Sequence, residues 1–303
     1  MYEQHFGLRA KPFAVTPDPT FLFTGRAHRE ALAALVYGVK QRRGFICLVG
    51  EIGTGKTTLL RALLEDLDVS VRTLLITHTT IDRDDLHRMI LHELSIPYEG
   101  LTRAEMVQAL YEVVLGEFQA HRPPPLLIVD EAQNLADEVL EEIRLLTNLE
   151  MGESKLLQVI LAGQPELERK LRRPGLRQLD QRIAVRARLA PLGQDETTAY
   201  IRHRLRVAGS RDPHLFNRAA LRKVWLRTDG VPRLVNILCE QALVNAFGAD
   251  KRGVNEKLVD EAARDLGLDR ARTREAPARD GVGRSAEWGR WSLRALFATG
   301  GRR

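Results

Sequence analysis

Gly50, Gly55, Lys56 and Thr57 stand at the spacing Gly-x-x-x-x-Gly-Lys-Thr within VGEIGTGKTTLL, residues 49–60. Residue types at this spacing suit one task, the cradling of a phosphate chain. Across Gly50, Glu51, Ile52, Gly53, Thr54 and Gly55 the glycines let the backbone fold back, so that several N–H groups point at one anion. Lys56 adds a positive charge, Thr57 offers a hydroxyl to a metal ion, and Thr58 completes the run. A chance glycine-rich turn would lack the right flanks. Here Phe45–Val49 reads as a buried strand and Thr57–Leu67 as a helix, whose positive dipole end favours the same anion. Strand, loop and helix in this order predict nucleoside triphosphate binding.

A second constellation is PLLIVDEAQNL, residues 125–135, where an apolar strand ends in Asp130-Glu131. Ligands of parallel sheets bind beyond the carboxyl ends of the strands, so both carboxylates are expected in the crevice that holds Lys56. Asp130 suits Mg2+, and Glu131 suits the general base that deprotonates an attacking water. Elsewhere an Asp-Glu pair after a strand marks only the start of a helix. Paired with the phosphate loop, it is more specific. In LQVILAGQPEL, residues 157–167, the next strand ends at Gly163-Gln164; the Gln164 amide both donates and accepts, and so can touch the γ-phosphate and the water.

Arginines supply the remaining charge. Arg172, Arg173, Arg177, Arg182, Arg186 and Arg188 crowd a helix-to-strand passage, and most are expected to be solvated surface charge. One of them can reach the γ-phosphate of a neighbouring subunit, an effect worth about 10³–10⁵ in rate. Arg182, just before the strand, is the first candidate and Arg186 the second. In TDGVPRLVNILCEQAL, residues 228–243, Gly230 and Pro232 make a turn and Arg233 opens a helix. The helix dipole disfavours a cation there, which points to a nucleotide-facing role for Arg233.

Together these features resemble an AAA+ ATPase. The opening HFGLRAKPFAVTPDPTFLFTGRAHREALAAL narrows the resemblance to the general secretion pathway protein A (ExeA) family, which includes pilus-biogenesis and exopolysaccharide-locus ATPases. YEQHFGLRAKPF, TPDP, HREAL, GEIGTGKTTL, VDEAQNL, LAGQPEL, LDQRI and GVPRLVN carry it, over residues 1–268. The resemblance implies an ATP- and Mg2+-dependent, ring-like homo-oligomer that works with envelope-assembly proteins. It also implies that Pro12, Phe13 and His28 lie near the adenine, and that the matching arginine completes a neighbour's site. The main alternative is a DNA-associated AAA+ regulator resembling transposition ATPases. A small-molecule phosphotransferase would leave the arginines without a task.

The elements that must position these residues are legible as patterns. Strands are expected at 45–49, 72–77, 125–129, 156–162 and 183–189, with helices at 26–41, 83–94, 103–120 and 137–149 between or before them. Near-continuous apolar strands divided by helices predict an α/β fold with a parallel sheet covered on both faces. After residue 192 only helical patterns follow, at 195–208, 217–227, 232–247 and 255–267. The expected domains are therefore an α/β unit with its N-terminal helical segment at 1–192, a helical lid at 193–268 and a basic tail at 269–303.

Charge and composition narrow the classes. The net charge of +6 sits in residues 270–303, where nine arginines face Glu275, Asp280 and Glu287; residues 1–269 are neutral. A neutral body argues against nucleic acid as the main partner and leaves weak nucleic-acid or anionic-lipid contact to the tail. The tail's EWGRWSLRALFATGGRR is too short and too arginine-rich to span a membrane, although full-length secretion members of the resembled family continue into a span and a peptidoglycan-binding domain. Trp288, Trp291, Ala295 and Ala298 share one helical face, with Leu293 and Phe297 opposite, so the amphipathicity is weak. Cys47 and Cys239 form no motif and fit a reducing cytoplasm. A cytoplasmic location is expected, with a peripheral position at the inner membrane left open.

Overall fold

The expected apolar runs form strands β1 (Phe45–Gly50), β2 (Thr73–Ile76) and β3 (Leu126–Val129), then β4 (Glu150–Met151) and β5 (Ser154–Lys155), and finally β6 (Gln158–Gly163) and β7 (Ile183–Leu189). The computed structural model describes residues 1–14, 18–152 and 154–268; the expectations for the tail lie outside them. Before and between these strands run α1 (Tyr2–His5), α2 (Arg26–Lys40), α3 (Lys56–Asp66), α4 (Arg83–Glu93), α5 (Arg103–Gln119) and α6 (Asp137–Leu146). The short α7 (Pro165–Leu171) and α8 (Arg177–Arg182) lead into β7. Beyond it come α9 (Gln194–Val207), α10 (Arg218–Thr228), α11 (Pro232–Gly248) and α12 (Glu256–Asp265).

Five strands make one parallel sheet in the order β2-β3-β6-β1-β7. Period-two alternation in β1 sends Phe45, Cys47 and Val49 to one apolar layer and Ile46 and Leu48 to the other. The first layer packs against Leu86 and Ile90 of α4, Leu110 of α5 and Ile143 of α6. The second packs against Leu35 of α2 and Leu59 and Leu63 of α3. Both faces are dry, which is why these strands read as continuous apolar runs. Capping boxes at Asp82 and Thr102 fix where α4 and α5 begin.

The hairpin of β4 and β5 was not expected from the sequence. Its four paired residues are polar or partly exposed and carry no alternating pattern. The run expected as a strand from 156 joins the sheet only at Gln158, although Leu156 and Leu157 are already buried.

A separate apolar core joins α9 to α12 through Ile201, Val224, Val235 and Val259. Cys239 lies in this core and Cys47 in the first sheet layer; both thiols are free and raised by burial, Cys47 to about 12. Residues 1–25 are grouped with the α/β unit by the sequence reading. Their apolar side chains instead join the helical core: Tyr2, Leu8, Phe13 and Phe21 pack there. Bonds tie the same segment down, from the Tyr2 hydroxyl to Glu240 (2.7 Å) and from the Arg9 N–H to the Ala208 carbonyl (2.7 Å).

Candidate nucleotide site

The strand order decides the site. The phosphate loop follows β1, Gln164 follows β6 and Asp130-Glu131 follow β3, and these three strands are adjacent. Their carboxyl ends stand one strand spacing apart, about 4.8 Å per step. Lys56 and Glu131, 75 positions apart in sequence, and Gln164, 33 positions further on, therefore meet at one edge.

Helix α3 begins at Lys56, so the loop's N–H groups and the helix dipole converge as the spacing predicts. Lys56 is buried, and its Nζ donates to the carbonyls of Gly50 (2.9 Å) and Glu51 (3.3 Å) behind the loop. Thr54 is fully buried, with its hydroxyl on the Glu51 carbonyl (2.8 Å). The Thr57 hydroxyl donates to Oδ2 of buried Asp130 at 2.6 Å. One hydroxyl and one carboxylate make a hard-oxygen donor set, which fits Mg2+ with phosphate oxygens completing the shell.

Glu131 has a left-handed backbone, φ 53°, which is rare for a residue with a side chain. Its N–H donates to Asp130 Oδ1 (2.9 Å). Its Oε2 accepts from the Gln133 amide (2.6 Å) and from the Gln164 amide (3.1 Å), and the Gln164 N–H donates to Gln133 Oε1 (3.1 Å). Burial pushes the Glu131 carboxyl up, but the Gln133 and Gln164 bonds and the Lys56 charge together outweigh it. The net direction is down, so Glu131 is ionised.

These groups open into a cavity of about 510 Å³ between the sheet edge and the helical region. Ile52, Gly53, Thr54, Gly55, Lys56, Thr57 and Thr58 line it together with Glu131, Gln164 and Arg233. Arg233 opens α11, and its N–H donates to the Gly53 carbonyl (3.1 Å). A Cβ on Gly53 would stand 2.7 Å from that of Arg233, so the loop and α11 touch at backbone distance. His28 lines the cavity too; its Nε2 donates to the Thr54 carbonyl (2.9 Å), because a carbonyl can only accept. Burial lowers the His28 pKa, which keeps the ring neutral.

Several expected residues fall elsewhere. Pro12 and Phe13, expected beside the adenine, do not line the cavity. Phe13 is fully buried in the helical core, edge-on to Phe216. The segment contributes Ala14, Asp18 and Phe21 to Phe23 instead. Gly50 and Glu51 act from behind the loop, as acceptors for Lys56. Neither Arg182 nor Arg186 lines the cavity of its own chain. Arg186 is paired with Asp180 (2.8 Å), and Arg169, Arg172, Arg173 and Arg188 also have carboxylate partners. Arg182 bonds to the neutral Asn148 side chain.

Sequence reasoning missed Tyr200, Arg204 and Asn236, which line the far end of the cavity. No motif marks Tyr200 or Arg204, and Asn236 ends GVPRLVN without having been singled out; α9 and α11 bring Tyr200 and Asn236 together from 36 residues apart. It also missed Gln133, two residues after Glu131 in a motif already singled out.

Comparison with known proteins agrees with this geometry. The pattern of the family described as AAA domain matches residues 39–171. The general secretion pathway protein A of Aeromonas hydrophila is 44% identical over 247 residues, 82% of this chain and 45% of that protein. The chain thus spans less than half the length of that relative. In fold, it is similar to Cdc6p from Pyrobaculum aerophilum (TM-score 0.62, 18% identity, 82% of this chain and 71% of that one). It is similar also to Drosophila ORC in its DNA-bound structure (TM-score 0.63, 18% identity, 88% and 65%). Those two likenesses concern the fold alone. With the phosphate loop, the paired carboxylates and the helical region in place, residues 39–171 carry an AAA domain, and 82% of the chain is similar to the general secretion pathway protein A.

Proposed function

We propose that this chain binds ATP with Mg2+ and hydrolyses it within a homo-oligomer that serves assembly of an envelope secretion, pilus or polysaccharide export system. The observation that carries the reading is the Glu131 carboxylate, which accepts from two amides beside the Thr57–Asp130 pair at the mouth of the phosphate loop. Thr57 and Asp130 would hold Mg2+, which supplies neutralisation of phosphate charge when bound. The loop N–H groups and Lys56 bind the phosphates. Glu131 takes the proton of the attacking water, and Gln164 orients that water against the γ-phosphate. The water oxygen bonds to the γ-phosphorus as the bond to the β–γ bridging oxygen breaks, and inorganic phosphate and ADP leave.

Arg182 supplies positive charge to a neighbouring copy's γ-phosphate. Among the described residues its side chain bonds to the neutral Asn148, whereas that of Arg186 pairs with Asp180, which favours Arg182 as the donor. Residues 26–192 work as the nucleotide-binding domain and 193–268 as a lid, on which Tyr2, Leu8, Phe13 and Phe21 pack and whose Arg233 reports on the phosphates. The link to secretion rests on the Aeromonas hydrophila relative, and the neutral body supports it over DNA as the primary partner. Among the described residues no helix is long and apolar enough to cross a membrane. The proposed place of work is the cytoplasm, beside the inner membrane.

Specific activity against protein concentration tests the oligomer. Activity per chain rises with concentration, and Arg182→Ala lowers turnover about 10³-fold while sparing ATP affinity. Mixing Arg182→Ala with Glu131→Gln restores part of the rate, since one variant offers the base and the other the arginine. A flat concentration profile with no rescue would mean that each chain completes its own site.

A further inference from the structure

Arg204 of α9 is 7% exposed, yet each of its hydrogen-bond acceptors is neutral. Its Nε donates to the Pro12 carbonyl, one Nη to the Tyr200 hydroxyl (3.0 Å) and the other to the Ala14 carbonyl (3.2 Å). The guanidinium also lies over the Phe21 ring, 4.8 Å from its centre. The cavity-lining acid Asp18 is held below its usual range chiefly by Thr20, and the Arg204 charge is its smallest contribution. Burying a cation among neutral groups is costly, and a leucine would fill this position in an apolar helix face without that cost. The guanidinium does what leucine cannot. It satisfies two carbonyls of the N-terminal segment and stacks on a ring of the same segment.

Those contacts sit where the cavity is walled. Ala14, Phe21 and Arg204 line it, and so do the next two members of the hydrogen-bonded chain. Arg204 donates to the Tyr200 hydroxyl, and that hydroxyl donates to Asn236 Oδ1 (2.8 Å). Asn236 lies one turn beyond Arg233, whose N–H holds the Gly53 carbonyl. One continuous path therefore runs from the phosphate loop along α11 and α9 to the N-terminal segment. On the ATPase reading the phosphates would take the loop end, which leaves the Arg204 end of the cavity to the nucleoside.

We propose that Arg204 is the positioning residue for nucleoside binding: by fastening residues 12–14 and Phe21 to α9, it builds the cavity wall against which the adenosine part of ATP packs. The inference rests on the ATPase reading and assigns the wall opposite the phosphate loop. It predicts that Arg204 matters for ligands that carry a nucleoside and not for the phosphate chain alone.

The test compares ATP with inorganic tripolyphosphate, by calorimetric titration of the full chain, in wild type, Arg204→Met and Arg204→Lys. Methionine keeps the length of the stem and removes the charge and donors. Arg204→Met is expected to weaken ATP about tenfold or more while leaving tripolyphosphate affinity unchanged. Arg204→Lys recovers part of the ATP affinity, because an ammonium reaches the carbonyls but lacks the planar fork and the stack. A purely structural arginine would weaken both ligands together, and that result, or undiminished ATP affinity in Arg204→Met, overturns the proposal. Should Arg204→Met not fold, Arg204→Lys carries the same comparison; equal loss of the two ligands, or no loss, overturns it. Failure of the wild-type chain to bind either ligand would overturn the ATPase reading, and this inference with it.

Discussion

The two ends of the cavity are built in opposite ways. At the phosphate end, the nine residues Gly50–Thr58 and the residues that follow β3 and β6 supply most of the groups, and the sheet fixes their separation. At the nucleoside end, the N-terminal segment, α9 and α11 each contribute a few side chains, held by a hydrogen-bonded chain from Arg204 through Tyr200 to Asn236. The first end is rigid because a parallel sheet buried on both faces cannot shift without losing its core. The second is an assembly of side-chain bonds between elements that are not paired in a sheet. Chemistry is therefore expected to be concentrated at the first end, and adjustable affinity at the second.

The largest effects should follow substitutions at the phosphate end. Lys56→Ala removes the cation that faces the phosphates and is expected to cost at least about a hundredfold in ATP affinity. Glu131→Gln keeps the shape and the bond to Asp130 but cannot take a proton, so kcat falls about 10²–10⁴-fold with ATP affinity retained. Equilibrium titration beside steady-state turnover separates the two. Wild-type turnover by Glu131→Gln would place the base elsewhere and remove the reason for treating this end as the chemical one.

Where the ends meet, glycine is demanded by contact. Gly230 has φ 71°, and a Cβ there would lie 1.9 Å from the Leu192 carbonyl oxygen, a backbone atom with no rotamer to escape into. Gly230→Ala is expected to destabilise the protein by about 2 kcal/mol or more, through the left-handed strain and a forced shift of the 190–193 connection. Gly53→Ala meets side-chain atoms of Arg233 and Val231 at 2.7 and 3.2 Å and weakens the bond from Arg233 to the loop. Its expected signature is a smaller loss of stability with weaker ATP binding. Urea denaturation and nucleotide titration read the two. If Gly53→Ala bound ATP as well as wild type, the loop and α11 would be independent, and the two ends would not form one site.

The same contrast explains what the sequence made legible. β1, β3 and β6 and the residues after them could be read because each is a contiguous apolar run followed by a polar motif. The start of α3 at Lys56 and the helices from α9 to α12 were legible for a similar reason, as local periodicity. The role of residues 1–25 was not, because Phe13 and Phe21 are spaced like any amphipathic segment, and only the tertiary fold assigns them to the helical core. Nothing in IRHRLRV singles out Arg204. Its burial depends on the carbonyls of Pro12 and Ala14, some 190 residues earlier. The β4–β5 hairpin escaped because a two-residue pairing has no room to show a period.

The smallest predicted effect is the most specific to this chain's phosphate end. Gln133 and Gln164 both donate to Glu131 Oε2, and their bonds stabilise the charged carboxylate. A group whose folded pKa is depressed stays ionised as pH falls, until the depressed value is reached. The acid limb of kcat/KM, which reports the free chain, should therefore lie below the ordinary glutamate value in the wild-type chain. Gln133→Leu removes the shorter of the two bonds, so the carboxyl pKa rises and the acid limb moves to higher pH. The stability contribution has the same sign. It is present above the unfolded-state pKa and is lost as pH falls through the folded one, so the variant is less stable than wild type at neutral pH and the gap closes in acid. Leucine also leaves the Gln164 N–H without its acceptor, a further cost of about 1 kcal/mol that does not depend on pH. At neutral pH the freed carboxylate is still ionised and is a stronger base, so turnover should not fall with the loss of the bond. The measurement is kcat/KM against pH for the two chains, with urea melts at neutral and acid pH. An acid limb that stays in place would show that the proton is taken by a group Gln133 does not touch.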